Sequence, residues 1–110
     1  MERSMSDVTF HPVLKTSDLS PGEAKQVIIN RKEVAVYNLD GQYYATDDIC
    51  SHAYASLADG YIEGDKIECP LHGGAFEIKT GKAVVTPCTE DIKTYPVKVE
   101  GDQIMVGIPA

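Results

Sequence analysis

Cysteine and histidine fall into two matched short pairs, Cys50-Ser51-His52 and Cys69-Pro70-Leu71-His72, with sixteen residues between His52 and Cys69. Whatever fold the chain adopts must bring these two pairs to one place. Each pair offers a thiolate and then, within three residues, an imidazole, in the same order. A sulfide-bridged iron core takes soft thiolates, and a [2Fe–2S] centre in which two His replace two Cys on one iron takes this mixed set. In that arrangement Cys50 and Cys69 hold one iron, His52 and His72 hold the other, and each pair spans both metals. The competing use of two Cys and two His is structural zinc. Zinc motifs pair Cys with Cys and His with His, whereas here both pairs are mixed and repeat one order. A chance grouping is a poor account, because two of only three His stand in matched spacing.

The rest of the chain is patterned as short strands. Strands are expected over Val8–Leu14, Lys25–Asn30, Glu33–Leu39 and Gln42–Thr46, the last two joined by the hairpin signal Asp40-Gly41. Val34, Val36 and Asn38 alternate with Ala35, Tyr37 and Leu39. Tyr61–Glu68 reads as two short strands around Gly64-Asp65, or as one bulged strand. Ala75–Ile78 and Ala83–Thr86 flank the turn Lys79-Thr80-Gly81. Thr94–Glu100 alternates with Tyr95, Val97 and Val99 on one face, and Gln103–Ile108 closes the chain after Gly101-Asp102. Ser20-Pro21-Gly22-Glu23 resembles a helix start capped by Ser20, and at most a turn would follow. Many short strands imply an all-β antiparallel sandwich or barrel in one domain, 1–110. The ligand pairs sit in the gaps between strands, where a rigid scaffold presents functional loops.

Charge and composition narrow the partners. The 110 residues carry a net charge of −7, with 43% hydrophobic and 25% charged residues, the balance of a globular chain. So acidic a chain is a poor ligand for phosphate backbones, which excludes nucleic acid as the expected partner and favours basic docking surfaces. No apolar run approaches the roughly 20 residues that cross a bilayer, and Met1–Asp7 lacks the apolar segment of a signal peptide. Three cysteines do not suit a disulfide framework. A cytoplasmic protein without a membrane partner is expected.

Beyond the ligands, four runs carry a resemblance: Asp59-Gly60-Tyr61-Ile62-Glu63-Gly64, Ile67-Glu68-Cys69-Pro70-Leu71-His72, Phe76-Glu77-Ile78-Lys79-Thr80-Gly81-Lys82 and Ile92-Lys93-Thr94-Tyr95-Pro96-Val97. With the ligand pairs and Gly73-Gly74 they resemble the bacterial Rieske ferredoxins of aromatic-ring-hydroxylating dioxygenases, especially the naphthalene and biphenyl type, from Val8 to Ile108. The resemblance implies a Rieske fold of three antiparallel sheets, with a cluster-binding subdomain at roughly 47–88 set into a base. It implies one [2Fe–2S] cluster bound by Cys50, His52, Cys69 and His72. It also implies an electron carrier, itself no enzyme, that passes single electrons from a flavoprotein NAD(P)H-dependent ferredoxin reductase to the Rieske centre of a terminal oxygenase. The alternatives are a Rieske subunit of another oxidoreductase and a zinc-binding interaction module. A mononuclear two-His-one-carboxylate site cannot be built here, because His11 alone is unassigned.

The resemblance also assigns lesser roles. Respiratory Rieske proteins carry an extra Cys in each ligand loop, where this chain has Ala55 and Leu71. High-potential members donate hydroxyl hydrogen bonds from a Ser and a Tyr, where this chain has Gly74 and Phe76. Fewer donors to the sulfurs imply a potential near the low end of the Rieske range, about −150 mV. Gly73 and Gly74 are expected to bring backbone N–H groups to the cluster. Pro87 is expected to cover it, with Pro70, Leu71 and Pro87 forming a dry docking patch beside the outer nitrogens of His52 and His72. Tyr54 belongs to docking surface or loop packing, and Ala53 stands where many relatives have Gly. Asp47, Asp48, Asp59, Glu63 and Asp65 are candidates for an acidic rim. Cys88 reads as a packing residue and His11 as an incidental surface one.

Overall fold

Strand β3, Lys32–Leu39, organises the molecule because both of its faces are buried. Val34 and Val36 point into one cluster of buried side chains, with Leu19, Ile29, Ala45, Tyr95, Ile104, Val106 and Ile108. Ala35 and Tyr37 point into the other, with Cys50, Leu57, Ile67, Cys69, Phe76, Ile78 and Ile92. Successive side chains on a strand face opposite ways, so the two interleaved sets of this alternating segment feed separate cores. Fully burying such a side chain stabilises the fold by about 1.5–3 kcal/mol.

The computed structural model describes residues 8–50, 55–70, 73–86 and 90–109. They form three antiparallel sheets, with no α-helix among the described residues. The first sheet runs β1 (Val8–Lys15), β11 (Gln103–Pro109), β10 (Val97–Glu100). The second runs β2 (Ala24–Ile29), β3, β4 (Gln42–Asp47), β9 (Thr94–Tyr95), and the third β5 (Tyr61–Glu63), β6 (Lys66–Glu68), β7 (Ala75–Glu77), β8 (Ala83–Val85). The third sheet is inserted in the chain between β4 and β9 of the second. The cluster with Val34 lies between the first two sheets; the cluster with Tyr37 joins the second sheet to the inserted one.

Local chemistry explains the turns. Asp40 and Gly41 both take positive φ, 54° and 90°, as a two-residue hairpin requires. Asn38 is buried there: its Nδ2 donates to the Leu19 carbonyl at 2.8 Å, and its Oδ1 accepts from the Gly41 N–H at 2.7 Å. Asn30 and Arg31 make a second such turn, at φ 50° and 70°, between β2 and β3. Ser20–Glu23 is the turn expected: the Glu23 N–H donates to the Ser20 carbonyl, and the Glu23 side chain accepts from the Ser20 N–H. A 3-10 turn at Thr16–Asp18 opens the turn-rich run Ser17–Gly22, and a second, Leu57–Asp59, carries no comparable sequence signal.

One strand expectation is resolved and another changes. Tyr61–Glu68 resolves as two strands paired across Gly64-Asp65, Glu63 opposite Lys66. Thr94–Glu100 is two strands in two sheets: Tyr95 pairs with Ala45 of β4, whereas Val97 pairs with Val106 of β11. Pro96 divides them because it has no N–H to give a ladder. The expected common face is lost as well: Tyr95 is buried and Val99 is exposed.

Candidate metal centre

Each ligand loop is closed at its root by backbone hydrogen bonds. The chain leaves β4 at Asp47, and Cys50 follows three residues later. The Cys50 N–H donates to the Ala55 carbonyl at 3.0 Å, Ile49 and Ser56 form an antiparallel bridge, and the Leu57 N–H donates to the Asp48 carbonyl at 2.6 Å. The second loop leaves β6. The Cys69 N–H donates to the Gly74 carbonyl at 2.7 Å, and the Gly73 N–H donates back to the Cys69 carbonyl at 3.1 Å. The Gly73 amide thus closes its own loop.

Cys50 and Cys69, 3% and 1% exposed, belong to one cluster of buried side chains with Tyr37, Leu57, Ile67 and Phe76. Two sulfurs gathered among apolar side chains suit a soft, thiolate-bound metal centre. The donor set fits a [2Fe–2S] group on this ground: two buried sulfurs root two pinned loops, and each loop carries an imidazole within three residues. Among the described residues, no three of His, Cys, Asp and Glu are grouped to hold a metal. His52 and His72 lie outside the described residues, as do Ser51, Ala53, Tyr54, Leu71, Pro87 and Cys88. Of the expected docking patch, Pro70 is described and is exposed. His11 is half-buried and lines a groove of about 580 Å³ between β1 and β2.

The acidic rim divides in two. Asp59, Glu63 and Asp65 are exposed, as a rim needs. Asp47 and Asp48 are structural instead. Asp47 accepts from the Tyr95 hydroxyl and, at 3.3 Å, from the Lys93 N–H, tying the first ligand loop's strand to β9. Asp48 is 0% exposed, and its carboxylate accepts from Gln26 Nε2 at 2.6 Å and from the Ala58 N–H at 2.9 Å.

A buried polar chain backs the site. The Thr46 hydroxyl donates to the Asp47 carbonyl at 2.8 Å, so the Tyr37 hydroxyl, 2.8 Å from Thr46 Oγ1, donates to Thr46. Burial, reinforced by the nearby Asp48 and Asp47 carboxylates, pushes the Tyr37 phenol well above the ordinary tyrosine range. Burial and then the Asp47 carboxylate do the same to Tyr95. Spacing gave no hint of Tyr37, Thr46 or Gln26; the one readable signal was an Asp two residues before Cys50.

The Rieske [2Fe-2S] domain model matches residues 9–96. The ferredoxin component of naphthalene 1,2-dioxygenase/salicylate 5-hydroxylase systems from Ralstonia sp is 51% identical over 89 residues, 81% of this chain and 86% of that protein. The Sphingomonas yanoikuyae B1 ferredoxin superposes with a TM-score of 0.86 at 40% identity, covering 92% of this chain and all of that one (100%). A chain in the complex of reduced oxygenase and oxidized ferredoxin of carbazole 1,9a-dioxygenase superposes at 0.83 with 38% identity, covering 88% of this chain and 91% of that one. The match to the domain model spans most of the molecule, from β1 to the proline that separates β9 from β10, and carries a single [2Fe–2S] cluster with it: the chain belongs to the Rieske [2Fe-2S] domain family.

Proposed function

We propose that this protein is the ferredoxin component of an aromatic-ring dioxygenase system. It accepts one electron at a time from a flavoprotein NAD(P)H reductase and delivers it to the Rieske centre of a terminal oxygenase. Cys50 and Cys69 hold one iron, and His52 and His72 hold the other. The bound cluster supplies one-electron redox chemistry; the chain excludes water from the sulfurs and fixes the two loops.

The observation that supports this most is the 51% identity to a named ferredoxin component over 81% of this chain and 86% of that one. The buried pair Cys50 and Cys69 is what such a carrier needs at its core. The exposed carboxylates Asp59, Glu63 and Asp65 suit brief association with basic surfaces, and electron-transfer interfaces are small, under about 1,200 Å². No helix is long and apolar enough to cross a membrane among the described residues. The carrier itself breaks no substrate bond, and the cytoplasm is where NAD(P)H-driven partners meet it.

The test is reconstitution. Purified protein should contain two irons and two sulfides per chain, absorb in the visible, and show a paramagnetic signal when reduced. Added to a reductase, NADH and a terminal oxygenase, it should support aromatic hydroxylation that stops when it is left out. Colourless protein carrying zinc would refute the proposal.

A further inference from the structure

We infer that Asp48 is a positioning residue of the metal centre, which ties together the two feet of the first ligand loop and places a fixed negative charge behind it. The inference rests on the assignment of Cys50 as a ligand. Asp48 is 0% exposed and uses all its polar groups. Its N–H donates to the Glu33 carbonyl of β3 at 3.1 Å, and its carbonyl accepts from the Leu57 N–H at 2.6 Å. Its side chain accepts from the Ala58 N–H at 2.9 Å and from Gln26 Nε2 of β2 at 2.6 Å. Residues 48 and 57–58 lie on either side of the loop that holds Cys50, so this one residue joins both of its feet to two strands of the second sheet.

A tie of this kind does not need charge; the amide of Asn has nearly the same shape. Yet the group is a carboxylate, and among the described residues no Lys or Arg forms an ion pair with it. In a poorly screened interior its field reaches further than it would at the surface. Cys50 lies two residues along the chain from Asp48 and shares a buried cluster with Tyr37 and Cys69. Reduction adds an electron to the centre, and a fixed negative charge at the foot of its loop opposes that addition. Asp48 therefore holds the potential down while it holds the loop in place.

Two variants separate charge from architecture. Asp48→Asn removes the charge and keeps the shape. Gln26→Lys sets a cation against the carboxylate from an exposed position on the edge strand β2. Ile28→Lys adds the same charge on the same strand, at a residue that is 65% exposed and makes no bond to Asp48. The readouts are the midpoint potential by protein-film voltammetry and the optical and paramagnetic signature of each holoprotein. Asp48→Asn and Gln26→Lys should both shift the potential upward with the parental signature kept, and Ile28→Lys should shift it less. An unmoved potential in Gln26→Lys, or an equal shift in Ile28→Lys, overturns the inference, whether or not Asp48→Asn assembles its cluster. The parent's own signature tests the ligand assignment separately: a parent without it fails both readings, and a parent with it but unmoved variants fails this one alone.

Discussion

Gly60 packs directly against the backbone of Glu68: a Cβ on Gly60 would lie 2.0 Å from the Glu68 carbonyl oxygen and 3.1 Å from the Leu57 carbonyl oxygen. Both neighbours are backbone, and neither can swing away. The Glu68 carbonyl immediately precedes Cys69, so relief of the clash must move the root of the second ligand loop. Gly60→Ala is expected to cost about 1–3 kcal/mol, as overpacking does, and to lower the iron content of purified protein. Thermal unfolding and an iron assay check it; an unchanged melting temperature with full iron would contradict the packing.

Alkaline pH should weaken the fold through Tyr37 and Tyr95. Both phenols are held above the ordinary value of about 10, Tyr37 by burial and Tyr95 by burial and the Asp47 carboxylate. A raised folded-state value means the stabilisation is fully present below the unfolded value and is lost as pH rises toward the folded one. Above about pH 10 the unfolded chain releases protons that the folded chain retains, and each such group removes about 1.4 kcal/mol per pH unit. Denaturant titrations from pH 8 to 11 should show stability flat and then falling. Tyr37→Phe should flatten the fall, although it lowers stability at pH 8 by removing a buried hydrogen bond to Thr46.

The sequence disclosed local features and concealed those whose partners are distant. The Asp40-Gly41 hairpin and the alternation of Glu33–Leu39 were legible because turn chemistry and strand period are local. The repeated order of thiolate and imidazole donors is likewise local, and of those four residues the structure describes Cys50 and Cys69, which share one buried cluster. Asp47 and Asp48 looked like solvated loop carboxylates. Their fates depend on Tyr95, 48 residues later, and Gln26, 22 residues earlier, which no window of sequence brings together. The change of sheet at Pro96 was hidden because alternation continues across it, while the missing N–H redirects the pairing.

Replacing one imidazole by a thiolate tests the ligand set itself. His72→Cys should retain a [2Fe–2S] cluster, because the site then offers three thiolates and one imidazole. The added negative charge should lower the potential by on the order of 100 mV, part of the gap between Rieske and all-cysteine plant-type centres. Voltammetry and the reduced-state paramagnetic spectrum read the change. An unaltered potential and spectrum would show that His72 does not bind iron.

The potential of the parent protein is expected near the low end of the Rieske range, about −150 mV. Hydrogen bonds to the cluster sulfurs raise a potential by stabilising the more negative reduced state. By the family resemblance Phe76 stands where high-potential members carry a hydroxyl donor, and its ring is 0% exposed in the same buried cluster as Cys50 and Cys69. A ring at that position contributes apolar surface and no hydrogen. The Gly73 N–H donates to the Cys69 carbonyl, which removes another donor from the sulfurs. Phe76→Tyr should therefore raise the midpoint relative to the parent while keeping the optical signature. A parental midpoint well above zero would mean that donors to the sulfurs are present after all, supplied by some group other than these two residues.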